Sequence, residues 1–205
     1  DRDRALKHVE EMIAEGMDIV DIGGESTRPW GYTLLSDEEE IARVVPMIEA
    51  VKANFDIPIS LDTYKSGVAE AGILAGADLI NDIWGLKYDP HMSEVIAKSG
   101  LACCLMHNRD NTEYRNFMED VKQDLRETIA LAKAAGIADD KIILDPGIGF
   151  AKTTEENLKF MNHLEDLVAL GYPVLLGTSR KSMIGNTLNL PVDEREDCLL
   201  YTSPS

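Results

Sequence analysis

The sequence has few basic residues for its length. Its 205 residues include 20 Lys and Arg against 37 Asp and Glu, which gives a formal net charge of −17 at pH 7. Nucleic-acid binders need clustered Lys and Arg to contact phosphates, so this balance argues against that class. It suits a soluble protein of the cytoplasm that acts on small molecules, in which a few local cations hold any anionic substrate.

Cysteine is scarce as well, and long apolar runs are missing. Cys103 and Cys104 are adjacent and Cys198 stands alone, so we expect reduced thiols rather than a disulfide framework. No apolar run is long enough to span a membrane, and no signal peptide is recognisable. We therefore expect a cytoplasmic location and no membrane partner.

Several common catalytic motifs are also absent. No G-x-G-x-x-G follows a predicted strand, residues 177–182 lack the Gly-Lys-Ser of a P-loop, and Lys181 stands where a serine-hydrolase elbow needs glycine. The four histidines, at positions 8, 91, 107 and 163, have no metal-ligand spacing. His107 follows a predicted strand, and we interpret it as an ordinary loop residue or as a group supporting others.

One stretch stands out, Ile142–Lys152, which reads IILDPGIGFAK. A short apolar run of this kind predicts a strand buried on both faces. It ends in Asp145 and a glycine loop that also carries Phe150 and Lys152. Such a loop brings the backbone close to a ligand and is typical of the floor of a binding site.

The same pattern recurs along the chain, because six predicted strands are each followed by a predicted helix. The predicted strands are Met17–Gly24, Ile57–Asp62, Asp78–Asp82, Leu101–Met106, Lys141–Asp145 and Pro173–Gly177. This alternation predicts a parallel sheet, either doubly wound or closed as a TIM-type (β/α)8 barrel. Polar residues follow nearly every strand, which favours the barrel. With about six βα units present, we expect its first and last strands to be missing.

Three of these strand-end residues predict a ligand class. Asp62, Asn81 and Asp145 would offer two acceptors and one mixed donor and acceptor in a partly dry pocket, which suits the amide edge of a pterin or purine. Arg28, Arg180 and Lys181 begin loops in a strongly acidic protein, and they indicate an anion site.

These motifs together resemble the dihydropteroate synthase family. The resemblance rests on DIGGESTRP (21–29), SLDT (60–63), NDI (81–83), LMH (105–107), DPGIGF (145–150) and GTSRKSMI (177–184). It implies a transferase of folate biosynthesis, the sulfonamide target, that joins 7,8-dihydropterin-6-ylmethyl diphosphate to 4-aminobenzoate. The strand-end acids also occur in pterin-binding methyltransferases, which remain an alternative, as does a non-catalytic pterin-binding fragment.

The resemblance also implies roles for individual residues. The catalytic set would be Asp62, Asp145 and Lys181. The pterin would be bound by Asp62, Asn81, Met106, Asp145, Gly177 and Lys181. The aminobenzoate and the diphosphate would be bound by Thr27, Arg28, Pro29, Phe150, Lys181 and Ser182.

Further expectations concern the ends of the chain. We predict a barrel domain over residues 1–197 and a tail over residues 198–205 that does not resemble the family. The resemblance places the Asn ligand of an expected Mg²⁺ before residue 1, and an Arg and a His that grip the diphosphate after residue 205. Compared with the family, Trp30 looks like an extra residue just after Arg28 and Pro29. We expect little turnover from residues 1–205 alone and a homodimer for the full-length protein.

Overall fold

A five-stranded parallel sheet forms the centre of the molecule in the computed structural model, which describes residues 2–26, 33–179 and 181–195. The strands are β1 (Val20–Gly23), β2 (Ile59–Asp62), β3 (Leu79–Asp82), β4 (Ala102–Met106) and β5 (Ile142–Asp145). Each strand pairs with the next one along the chain, in the order β1-β2-β3-β4-β5.

Helices connect the strands. They are α1 (Arg2–Ala14), α2 (Asp37–Asn54), α3 (Ser66–Ala75), α4 (Met92–Ser99), α5 (Phe117–Ala135), α6 (Thr154–Met161), α7 (Leu164–Val168) and α8 (Ser182–Leu188), with short 3₁₀ turns at Asp139–Lys141 and Val192–Glu194. No helix in the described parts of the chain is both long and apolar enough to cross a membrane.

Sequential strand order distinguishes between the two predicted architectures. A doubly wound sheet reverses its order at a switch point, whereas a barrel adds each strand beside the previous one. The observed order has no reversal, so the fold is of the TIM-type (β/α)8 class, with about six βα units, as predicted.

The two faces of the sheet differ in chemistry. The outward face carries Leu61, Ile80, Cys103, Leu105 and Leu144, all fully buried against the helices. The strand register aligns the opposite face: Asp62 pairs with Asn81, Asn81 with Cys104, and Met106 with Asp145. Paired residues of parallel strands point to the same side, so the predicted ligand-binding residues share the inner face.

Two predicted elements differ from the structure. The sixth strand, predicted at Pro173–Gly177, is reduced to one bridge between Leu144 and Val174. It still exchanges hydrogen bonds with β5, because the Leu144 N–H donates to the Pro173 carbonyl and the Leu175 N–H to the Leu144 carbonyl, both at 2.9 Å. The sequence pattern after Thr153 predicts one helix to about Leu170, but the structure has two, α6 and α7, separated at Asn162 and His163.

Candidate active site

Polar side chains line the inner face of β1 to β3. Burial raises the pKa of Asp21, and the neighbouring side chains of Ser60 and Asn81 oppose that rise. Asp62 lies next to this group on β2. The inner face therefore concentrates hydrogen-bonding groups where a barrel has its mouth.

Asp62 is the least satisfied member of this group. Its Oδ1 atom is buried and has no hydrogen-bond partner within the described residues. Burial, followed by the nearby charge of Asp21, raises the pKa of Asp62 to about 8. A buried polar atom without a partner is rare in folded proteins and indicates a place where a ligand donor can bind.

Replacement of Asp62 by Asn is expected to stabilise the protein while weakening its ligand site. The carboxyl of the unfolded chain ionises near pH 4, but that of the folded protein stays protonated to about pH 8. Asp62 therefore lowers the free energy of unfolding by an amount that grows as the pH rises from 4 to 8. Asp62→Asn should raise the free energy of unfolding by several kcal/mol at pH 8 and by only about 1 kcal/mol at pH 5, since each pKa unit corresponds to about 1.4 kcal/mol. Urea unfolding at both pH values measures this, and a gain independent of pH would contradict it.

Asp145 ends β5 on the same face. Its Oδ1 atom accepts a hydrogen bond of 2.7 Å from the Gly147 N–H, and its Oδ2 atom lies 3.8 Å from the position a Cβ would take at Gly177. Burial raises its pKa, and the Gly147 hydrogen bond and the charges of Lys181 and Lys152 oppose that rise. The second carboxylate oxygen remains available to a ligand beside Gly177.

An aromatic surface and a cation lie beside Asp145. The Lys181 Nζ atom sits 4.5 Å from the centre of the Phe150 ring, and burial lowers the pKa of Lys181 while Asp145 opposes the change. A small apolar cluster adjoins them, formed by Tyr64, Ile83, Met106, Trp84 and Phe150. Apolar walls with a few convergent polar groups are typical of a site for a planar ligand.

A buried ion network lies beside the inner-face carboxylates and was not predicted from the sequence. The Lys65 Nζ atom donates to Glu25 Oε2, Glu40 Oε2 and the Leu35 carbonyl, each at 2.8 Å. The Tyr64 hydroxyl donates to Glu25 Oε1. Although burial opposes both changes, hydrogen bonds between the partners raise the pKa of Lys65 and lower that of Glu25.

A second network lies behind the glycine loop. The Lys152 Nζ atom contacts His107 Nδ1 at 2.8 Å, and His107 Nε2 contacts Asp124 Oδ2 at 2.8 Å. Arg109 Nε also donates to Asp124 Oδ2, at 2.6 Å. Burial lowers the pKa of His107 to about 4 and that of Lys152 to about 7. His107, predicted as an ordinary loop or supporting residue, is thus a buried member of a charged network.

The structure brings most of the predicted site residues together and leaves others undescribed. Asp62, Asn81, Met106 and Asp145 share the inner face, and contacts place Gly177, Phe150 and Lys181 beside Asp145. Ser182 is the first residue of α8, directly after Lys181. The predicted residues Thr27, Arg28 and Pro29 lie outside the described residues, as do Trp30, Arg180 and the predicted domain boundary at residue 197.

The described residues do not form a metal site by themselves. In residues 2–26, 33–179 and 181–195, no three His, Cys, Asp or Glu side chains are grouped so that they could hold a metal ion.

The chain is similar to known proteins along nearly its whole length. The family model described as pterin binding enzyme matches residues 1–203. A dihydropteroate synthase of Clostridium beijerinckii is 66% identical over 203 residues, which cover 99% of this chain and 75% of that protein. A dihydropteroate synthase of Bacillus subtilis is 51% identical over 195 residues, covering 95% and 68% of the two chains.

Solved structures give the same result. A dihydropteroate synthase of Clostridium difficile, crystallised in the presence of pteroic acid, superposes with a TM-score of 0.95 at 44% identity, covering 98% of this chain and 76% of that one. A dihydropteroate synthase of Xanthomonas albilineans with 4-aminobenzoic acid has a TM-score of 0.90 at 39% identity, covering 95% and 71%. None of these relatives supports the methyltransferase alternative. The chain therefore belongs to the pterin-binding enzymes, and within them to the dihydropteroate synthase family.

Proposed function

We propose that the protein condenses 7,8-dihydropterin-6-ylmethyl diphosphate with 4-aminobenzoate, which yields 7,8-dihydropteroate and diphosphate. The observation that carries the proposal is the buried Oδ1 atom of Asp62, which has no hydrogen-bond partner in the part of the chain that the structure describes. Asp62 lies on the same sheet face as Asn81 and Asp145. A pterin presents a row of N–H donors and ring acceptors, and these side chains complement it.

The hydrogen-bonding edge of the pterin contacts two acidic side chains, one amide and one cation. Asp145 accepts from the amino group and the ring N–H through the oxygen that Gly147 leaves available, and Asp62 accepts from a further N–H. Asn81 provides both a donor and an acceptor, and Lys181 donates to the pterin carbonyl. Met106 and Gly177 flank the ring, since the small Gly177 leaves space next to Asp145 Oδ2.

The chemistry needs no protein nucleophile. The bond between the pterin methylene and the diphosphate oxygen breaks, and its electron pair leaves with the diphosphate. The cationic methylene that remains is stabilised by Asp145, and by Asp62 once the N–H donors of the bound pterin have lowered its pKa, because preorganised carboxylates favour positive charge in a partly dry site. The amine of 4-aminobenzoate then forms the new C–N bond and loses a proton.

The second substrate lies against the loop side of the site. Phe150 provides an aromatic face for 4-aminobenzoate, and Lys181 and Ser182 provide polar contacts at the start of α8. Thr27, Arg28 and Pro29 are assigned to the aminobenzoate and the diphosphate from the family resemblance alone.

Direct binding is the primary test of this function. Calorimetry should detect binding of a 7,8-dihydropterin and tighter binding of pteroate, the product analogue that fills both pockets. Incorporation of radiolabelled 4-aminobenzoate, measured with Mg²⁺ present, reports turnover. A protein that binds neither pterin nor pteroate would contradict the proposal.

Lys181→Ala tests the cation shared by the two pockets. The change removes a donor to the pterin and the ammonium above Phe150, so pterin and pteroate should both bind about 10-fold more weakly, a loss of about 1.4 kcal/mol. The control is Lys98→Ala, which removes an exposed lysine on α4. Unchanged affinities in Lys181→Ala would assign this lysine to the surface rather than to the site.

Three further properties are proposed from the family resemblance. Mg²⁺ would assist diphosphate departure, through a ligand that the resemblance places before residue 1, and no step above is derived from it. The protein would act as a homodimer in the cytoplasm. Loss of turnover on chelation of Mg²⁺ tests the role of the metal, and sedimentation measures the oligomeric state.

A further inference from the structure

The glycine loop between β5 and α6 adopts backbone angles that need outside support. Gly147, Gly149 and Ala151 have positive φ angles of 69°, 86° and 48°. For Ala151 this left-handed conformation is unfavourable, because its Cβ crowds the following carbonyl. The loop carries Phe150 and the N–H that binds Asp145, so its conformation sets the positions of two proposed site residues.

Lys152 supplies much of this support. Its Nζ atom donates to the Gly147 carbonyl at 3.0 Å and to the Phe150 carbonyl at 2.9 Å, and it contacts His107 Nδ1 at 2.8 Å. Below its pKa of about 7 the side chain is an ammonium with three N–H donors and no acceptor, so these three acceptors use all of them. The cation therefore joins both ends of the Gly147–Phe150 turn to His107, the residue that directly follows β4.

The contact with His107 fixes the orientation of that side chain. If Lys152 donates to Nδ1, the imidazole proton must be on Nε2, where it donates to Asp124 Oδ2. Asp124 on α5 is also held by Arg109 Nε, and Arg109 stacks on the ring of Tyr114, whose hydroxyl donates to the Ala151 carbonyl. Through Tyr114, the network thus makes a second contact with the glycine loop, at Ala151.

We infer that Lys152, oriented by His107 and Asp124, is a positioning residue that holds Phe150 in place for the aminobenzoate half of the ligand. Lys152 contacts backbone carbonyls and His107 rather than the Asp145 and Lys181 side chains, and it acts through the loop. The inference rests on the proposed function, since it assigns Phe150 to the aminobenzoate pocket.

The first test compares two ligands on one variant. Lys152→Met keeps the length of the side chain and removes its donors, so pteroate should bind at least 10-fold more weakly while the pterin alone changes less than 3-fold. The matched control is Lys159→Met, which alters an exposed lysine on α6 and should leave both affinities within 2-fold. Equal losses for the two ligands, or no loss, would overturn the inference.

A second test does not depend on ligand binding or on the enzymatic activity. At pH 6 the ¹⁵N spectrum of histidine-labelled protein should show His107 neutral with its proton on Nε2, and its Nδ1 resonance should move on Lys152→Met. A proton on Nδ1 in the unaltered protein would exclude Lys152 as a donor and refute the network. If the unaltered protein binds neither pterin nor pteroate, the proposed function is wrong. The ¹⁵N spectrum still shows, independently, whether Lys152 donates to His107.

Discussion

Lys65→Met is expected to lower the free energy of unfolding by about 3–5 kcal/mol, because it leaves two buried carboxylates without their counter-ion. The side chains of Lys65, Glu25 and Glu40 are 8%, 1% and 2% exposed. Their ionised forms are tolerated only while Lys65 contacts both carboxylates and the Leu35 carbonyl. Urea unfolding at pH 7 measures the loss.

Lys52→Met is the matched control for this change. Lys52 also pairs with a carboxylate, at 2.6 Å from Asp78, but the two side chains are 36% and 42% exposed. Exposed ion pairs contribute about 0–1 kcal/mol. Similar losses in the two variants would show that the Lys65 network is no more important than a surface pair. A smaller loss when Lys65→Met is combined with Glu25→Gln would support the network, because that double variant leaves one buried charge fewer.

Asp145→Asn is expected to have the largest effect on function. It replaces an acceptor with a group that presents N–H donors to the pterin, so the dissociation constant of the pterin should rise about 10–100-fold. It also removes a negative charge next to the cationic methylene, and loss of such a group commonly costs about 10²-fold or more in kcat. The value of kcat/KM should therefore fall by about 10³-fold or more.

The control for Asp145→Asn is Asp140→Asn. Asp140 is an exposed acid in the 3₁₀ turn just before β5, so its loss should leave pterin binding unchanged. Calorimetry with a 7,8-dihydropterin gives the affinities, and thermal melts show whether each variant is folded. If a folded Asp145→Asn variant binds the pterin as tightly as the unaltered protein, Asp145 does not belong to the site.

Local pattern was sufficient to predict most of the fold. Each short apolar run that ends in a polar residue became a parallel strand, and the acidic first turn after Ser36 became a helix with Ser36 as its N-cap. The exception is the run at Pro173–Gly177, where Leu175 and Leu176 are 42% and 37% exposed and a single bridge forms. Strand propensity predicts an extended segment, but a regular ladder needs a partner along its whole length.

The inner-face site was predicted because strand ends in a parallel sheet converge. That rule alone was enough to group Asp62, Asn81 and Asp145. It did not extend to Lys65 or to Asp124, both of which lie on or next to helices rather than at strand ends. Lys65 is 40 positions from Glu25 along the chain, Lys152 is 45 positions from His107, and Asp124 is 17 positions from His107. Local pattern therefore contained no signal for either network.

The sequence by itself determined the alternation of strands and helices, the acids at the strand ends and the motifs of the family, because each depends on residues that are neighbours in the chain. Only the tertiary structure decided which charges are buried and what they contact. Among the described residues it left Asp62 Oδ1 without a partner, and it raised the pKa of that acid to about 8. It also converted His107 and Lys152 into a support for the Phe150 loop. Burial and long-range contacts are properties of the packed molecule, and they set the energy of a charge far more strongly than its neighbours in the sequence do.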